Sequence, residues 1–219
     1  MKYAPLATFL RRCILGATLG LAALGAWAGP LDDAIAELQR EWEVIRYQAP
    51  APERQKRFET LAARAHQVSE AHPGRAEPLV WEGIIVSSLA GEKGGLGALS
   101  LVKQAKALYE QAIQIDGNVL DGSAYNSLGV LYYKVPGWPV GFGDKGKARE
   151  LLQKGLAVNP KGIDGNFFYA EYLVETRQPQ AAASYLERAL EAPPRPGRAL
   201  ADQGRREEAK ALLEKVKGH

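Results

Sequence analysis

The stretch Gly141-Phe142-Gly143-Asp144-Lys145-Gly146-Lys147 has the glycine and lysine spacing of a phosphate-binding loop. In such a loop the backbone amides cradle phosphate oxygens, the lysine reaches the terminal phosphates and a hydroxyl residue next to it holds magnesium. Here that final position is Ala148, and Pro136 and Pro139 stand where the loop would need a strand. The spacing is therefore not expected to bind nucleotide. Histidine chemistry is sparse. His66 and His72 lie six apart, off a common helical face, and read as surface residues. No serine sits in a nucleophile elbow. The expectation is a protein with no catalytic residue, no metal and no cofactor.

Recognition chemistry is better represented. Trp138 and Phe142 stand in a loop of glycines and prolines, from Pro136 to Asp144. Aromatics in such a loop either fold back on the body or line a binding surface. Further aromatics crowd two segments: Tyr132, Tyr133, Phe167, Phe168, Tyr169 and Tyr172. Adjacent pairs such as Tyr132/Tyr133 and Phe167/Phe168 cannot face the same way on a helix, so some aromatic surface is left over.

The elements that must carry these residues follow from a repeated spacing. Ala105, Tyr109 and Ala112 sit at offsets 0, 4 and 7. The same offsets hold Ala148, Leu152 and Gly155, then Ala182, Leu186 and Ala189, then Ala209, Leu213 and Val216. Leu61, Ala65 and Val68 reuse them near the start. Ala148 and Ala182 are 34 residues apart. Offsets 0, 4 and 7 form one helical stripe: small members admit a neighbouring helix, and the larger one fills the groove between them. A period of this length predicts stacked helical hairpins, none able to bury its apolar face alone.

The string Tyr125-Asn126-Ser127-Leu128-Gly129-Val130-Leu131-Tyr132 resembles the first helix of a tetratricopeptide repeat. Lys147 to Pro160 resembles the second helix with its closing proline, and Asp202 to Ala209 resembles the turn between the two. This resemblance implies an all-α fold, an α-solenoid of stacked antiparallel hairpins wound as a right-handed superhelix. Expected boundaries are a degenerate hairpin over 31–72, repeats over 76–116, 119–160 and 163–191, and a truncated unit over 197–217. The last helix is expected from about Arg205. Two insertions, 91–97 and 136–144, read as loops emerging on one edge.

In tetratricopeptide folds the first helices form the concave wall. By register that implies Val80, Ile84, Ser87, Asn126, Val130, Tyr133, Phe167, Glu171 and Val174 here. The site residues expected from groove and loop together are Asn126, Tyr133, Trp138, Phe142, Phe167 and Glu171. Asp121, Asp144 and Asp164 are placed as helix N-caps. The irregular repeats, the Val135–Asp144 loop, the proline-rich stretch 193–196 and the leader described next are faintly similar to the T component of TRAP-type transporters. That resemblance implies a periplasmic scaffold whose partner is a solute-binding protein. The alternative is a small apolar ligand enclosed by the groove and the two loops.

Residues 1–28 read as a signal peptide. Lys2, Arg11 and Arg12 precede an uncharged stretch from Ile14 to Ala26, and Ala26-Trp27-Ala28 fits the small-x-small cleavage rule. The stretch is shorter than the roughly 20 residues a spanning helix needs. Cleavage would leave a single domain over 29–219 in the periplasm or outside the cell, with no membrane anchor. Cys13, the one cysteine, precedes the apolar stretch instead of following it and is not placed for lipid attachment. Without the leader's three cations the chain carries 25 acidic and as many basic residues. Nucleic-acid binding then loses its electrostatic support.

Overall fold

A computed structural model describes residues 29–218; the expected signal peptide over 1–28 lies outside the described residues. Among the described residues there are nine helices and no strand. They are α1 (Pro30–Tyr47), α2 (Ala51–Ala71), α3 (Ala76–Lys93), α4 (Gly95–Asp116), α5 (Val119–Lys134), α6 (Lys145–Val158), α7 (Ile163–Glu175), α8 (Pro179–Glu191) and α9 (Ala199–Lys217). Prolines open several of them: Pro30 in α1, Pro52 in α2 and Pro179 in α8 stand in the first turn, where a missing N–H costs nothing.

The spaced triplets are the packing seams. Ala105, Tyr109, Ala112, Ala148, Leu152, Ala182, Leu186, Ala189 and Ala209 are all buried to within about one per cent. On α4 and α6 the large member meets a glycine of the preceding helix. A Cβ on Gly129 would stand 2.7 Å from Leu152 Cγ, so only glycine lets α5 and α6 come this close. Gly83 plays the same part for Tyr109 between α3 and α4. Consecutive helices pack as pairs: α1 with α2, α3 with α4, α5 with α6 and α7 with α8.

The odd-numbered helices also touch each other in order. α1 meets α3, α3 meets α5, α5 meets α7 and α7 meets α9; α9 then returns to α1. The first helices therefore form a closed circuit, whereas the sequence leads one to expect a cupped body with an open groove. Gly204 makes the closure possible, since Tyr47 of α1 fills the space where a side chain at 204 would be.

Three local expectations need correction. The 91–97 segment is not a loop: α3 runs to Lys93, α4 starts at Gly95, and Gly94 and Gly95, at φ +62° and +56°, make the turn. The last helix begins at Ala199, six residues before the expected Arg205, so the final unit is one long helix. Of the three aspartates expected to cap helices, Asp144 does so, accepting from Lys147 N–H at 3.0 Å. Asp121 instead lies in a left-handed turn with Leu120 and Gly122 ahead of the regular part of α5. Asp164 is inside α7, whose N-cap is Gly162, and its carboxylate is held by arginines.

Candidate functional site

The loop between α5 and α6 is compact. Gly143 N–H donates to Pro136 O at 2.9 Å, Asp144 N–H to Tyr132 O at 2.8 Å and Gly141 N–H to Gly137 O at 3.1 Å. A Cβ at Gly143 would collide with the Val135 carbonyl oxygen. Three amides of the phosphate-loop-like stretch, those of Gly141, Gly143 and Asp144, are thus taken up by backbone carbonyls. Phe142 folds back, edge-on to Tyr132 with ring centroids 5.4 Å apart and the Lys106 ammonium 5.8 Å from its ring. Trp138 does the opposite and keeps 90% of its surface exposed, with Val140 beside it in the loop also exposed. The loop thus holds an indole in solvent on a backbone tied by its own hydrogen bonds.

Of the residues expected on the groove wall, Val80, Asn126, Tyr133 and Phe167 are buried, while Ile84, Ser87, Val130, Glu171 and Val174 are half-buried. Tyr133 is buried and donates to Glu171 Oε2 at 2.5 Å, while Lys134 reaches Glu171 at 3.0 Å and Glu175 at 2.9 Å. Burial, with the Glu171 charge behind it, pushes the Tyr133 hydroxyl well above the usual tyrosine range. Asn126 is buried against Gly155, and its Oδ1 accepts no hydrogen bond. Phe167 is also buried. It shares the Arg205 guanidinium with Phe168, at 4.6 and 4.5 Å from the two rings. The structure thus joins Tyr133 to Glu171 and ties Phe167 into an ionic cluster, while Trp138 stands apart from all of them.

That cluster is what sequence reasoning missed. Arg205 of α9 donates to Asp164 Oδ1 at 2.8 Å and to Glu208 at 2.6 Å. Arg195, in the proline-rich link before α9, donates to Asp164 Oδ2 and Asp202 Oδ1, each at 2.7 Å. Arg198 pairs with Glu43 of α1, and Arg46 of α1 with Glu208 at 2.9 Å. Burial, reinforced by the Arg195 charge, lowers the Arg198 pKa against the pull of Glu43. These pairs bind α1, α7 and α9 together where the circuit of helices closes. The available signal was Glu43, a carboxylate lodged between Trp42 and Ile45 on the apolar stripe of α1.

His66 is exposed, as expected of a surface residue, and its ring also meets two carboxylates. Its Nδ1 lies 3.0 Å from Glu82 Oε1 and its Nε2 3.4 Å from Glu70 Oε1. These groups border a groove between α2, α3 and α4.

A family model described as TRAP transporter T-component matches residues 51–218. The chain belongs to that family. No curated protein matches it. The T-component match begins at α2 and runs through α9, so α1 stands before it. Even so, α1 is held to the T-component region by the buried Glu43–Arg198 pair and by the edge-on contact of Trp42 with Trp81, 6.2 Å between ring centroids.

Proposed function

We propose that this T component is a non-catalytic periplasmic scaffold that docks the solute-binding protein of a TRAP transporter through the loop of Trp138. The observation that carries the reading is the exposure of Trp138 on a loop locked by its own backbone hydrogen bonds. A rigid aromatic anchor loses little conformational entropy on binding and buries a large area in a partner's pocket. Family membership supplies the transporter context. The N-terminal leader pattern supports the periplasmic placement. No helix of the described residues is long and apolar enough to cross a membrane.

The paired helices read as tetratricopeptide-like repeats. Buried 0, 4, 7 triplets on α4, α6 and α8, those of α4 and α6 set against a glycine of the helix before, support that reading.

The test is binding of the purified protein to the solute-binding protein of its transporter, by calorimetry. Trp138→Ala is expected to weaken the complex at least tenfold while leaving the melting temperature unchanged. Undiminished binding by the variant would remove the loop from the interface.

A further inference from the structure

The groove bordered by His66 has a volume of about 330 Å³, at the lower end of the range of small-ligand sites. Leu79, Ala107 and Leu108 give it an apolar wall, and Ser69, Gln104 and Gln111 add neutral polar groups. Its charged members are two carboxylates, Glu70 at the rim and Glu82 on α3. No lysine or arginine lines it.

Glu82 is the unusual residue. It is only 2% exposed, yet among the described residues no lysine or arginine pairs with it. Its one side-chain partner among the described residues is His66, whose Nδ1 lies 3.0 Å from Oε1. Elsewhere this protein gives its buried carboxylates guanidinium partners: Glu43 has Arg198 and Asp202 has Arg195. A buried carboxylate left without a full cation is costly, and an incoming cation removes that cost. The position of Glu82, lining a groove with an aliphatic wall, fits a cationic head with a hydrocarbon stem.

We propose that this groove binds an organic cation, an ammonium or guanidinium on a short aliphatic body. The head sits against Glu82 with Glu70 nearby, and the stem lies along Leu79, Ala107 and Leu108. Two sources share that chemistry: a free small molecule, and a lysine or arginine side chain of another protein.

The test uses the full chain with two probes, n-butylguanidinium and the blocked tripeptide acetyl-Ala-Arg-Ala-amide, titrated by calorimetry. Saturable binding of at least one probe to the wild type is expected, weakened tenfold or more by Glu82→Gln, which keeps the shape of the side chain. Tighter binding of the free cation assigns the site to a small molecule; tighter binding of the tripeptide assigns it to a partner's side chain. Either result upholds cation recognition. Ala107→Trp, on the exposed wall, fills the groove without touching the buried acid and should abolish binding, which keeps the test decisive even if Glu82→Gln folds poorly. Trp138→Ala should bind the probes as the wild type does, so the outcome is independent of the docking loop. No binding of either probe, or equal binding by the wild type and the variants of Glu82 and Ala107, would overturn the proposal.

Discussion

The ring of Tyr109 occupies the space where a side chain at residue 83 would be: a Cβ on Gly83 would stand 2.5 Å from Tyr109 Cε1. Tyr109 is fully buried and its hydroxyl lies 3.1 Å from Ser87 Oγ, so the ring cannot swing away without losing that hydrogen bond. Gly83→Ala is therefore expected to cost about 1–3 kcal/mol through overpacking. Gly91 offers the internal control. It also lies in α3, but nothing stands within 4 Å of its added Cβ. Gly91→Ala should gain roughly 0.5–1 kcal/mol from helix propensity alone. Urea unfolding of the two variants beside the wild type measures both signs.

This contact also shows what a sequence can and cannot disclose. The stripe Ala105, Tyr109, Ala112 is legible because helical packing repeats its demand in each hairpin, and the demand for small residues is local. The stripes at Ala148 and Ala182 do lie on helices, α6 and α8. Closure of the chain was not legible. It depends on Glu43 meeting Arg198 and on Asp164 meeting Arg195 and Arg205, partners separated by long stretches of chain, and the arginines individually look like solvated charges. The expected groove wall was legible only in register: Tyr133 and Phe167 are buried, Phe167 against Arg205 of α9, while Val130, Glu171 and Val174 keep part of their surface accessible. The 91–97 insertion misled because its glycines suggest a loop, while only Gly94 and Gly95 adopt positive φ there and the other residues continue the helices.

The two aromatics of the 136–144 loop should separate in their effects. Trp138 touches solvent over nearly all its surface, so Trp138→Ala is expected to leave stability within about 0.5 kcal/mol of the wild type. Phe142 packs edge-on against Tyr132 and takes the Lys106 ammonium on its face. Phe142→Ala should cost about 1–3 kcal/mol, less than a full core phenylalanine because the ring is only half-buried. Thermal denaturation distinguishes them; equal losses would mean that the indole is also packed.

Closure through Glu43 and Arg198 predicts a particular non-additivity. Glu43→Ala alone strands the Arg198 guanidinium in a largely buried site and is expected to cost about 3–5 kcal/mol. Replacing both partners, Glu43→Met with Arg198→Met, removes the stranded charge and should recover most of that loss. A double-mutant cycle by chemical denaturation gives the coupling. Arg198 also lies 4.9 Å from the Trp81 ring, so a residual cost of about 1 kcal/mol in the double variant would reflect that lost contact.

Asp164 gives the chain a defined acid sensitivity. Burial by itself would raise its pKa, but the charges of Arg205 and Arg195 outweigh it and hold the carboxyl at about 2. In the unfolded chain the value is about 3.9. A group whose pKa is depressed by folding stabilises the native state above the unfolded value, and that contribution disappears as the pH falls through the folded one. The window is therefore roughly pH 4 down to pH 2. The side chain keeps 30% of its surface accessible, so solvent screening trims the contribution to about 1–2 kcal/mol. Asp164→Asn removes the titrating group while keeping the size of the side chain. The stability difference between wild type and this variant, from urea titrations at pH 6, 4 and 2.5, should shrink by that amount towards low pH. Other carboxylates titrate in both proteins and cancel. A difference that stays constant across the three pH values would show that the arginines do not hold Asp164 ionised.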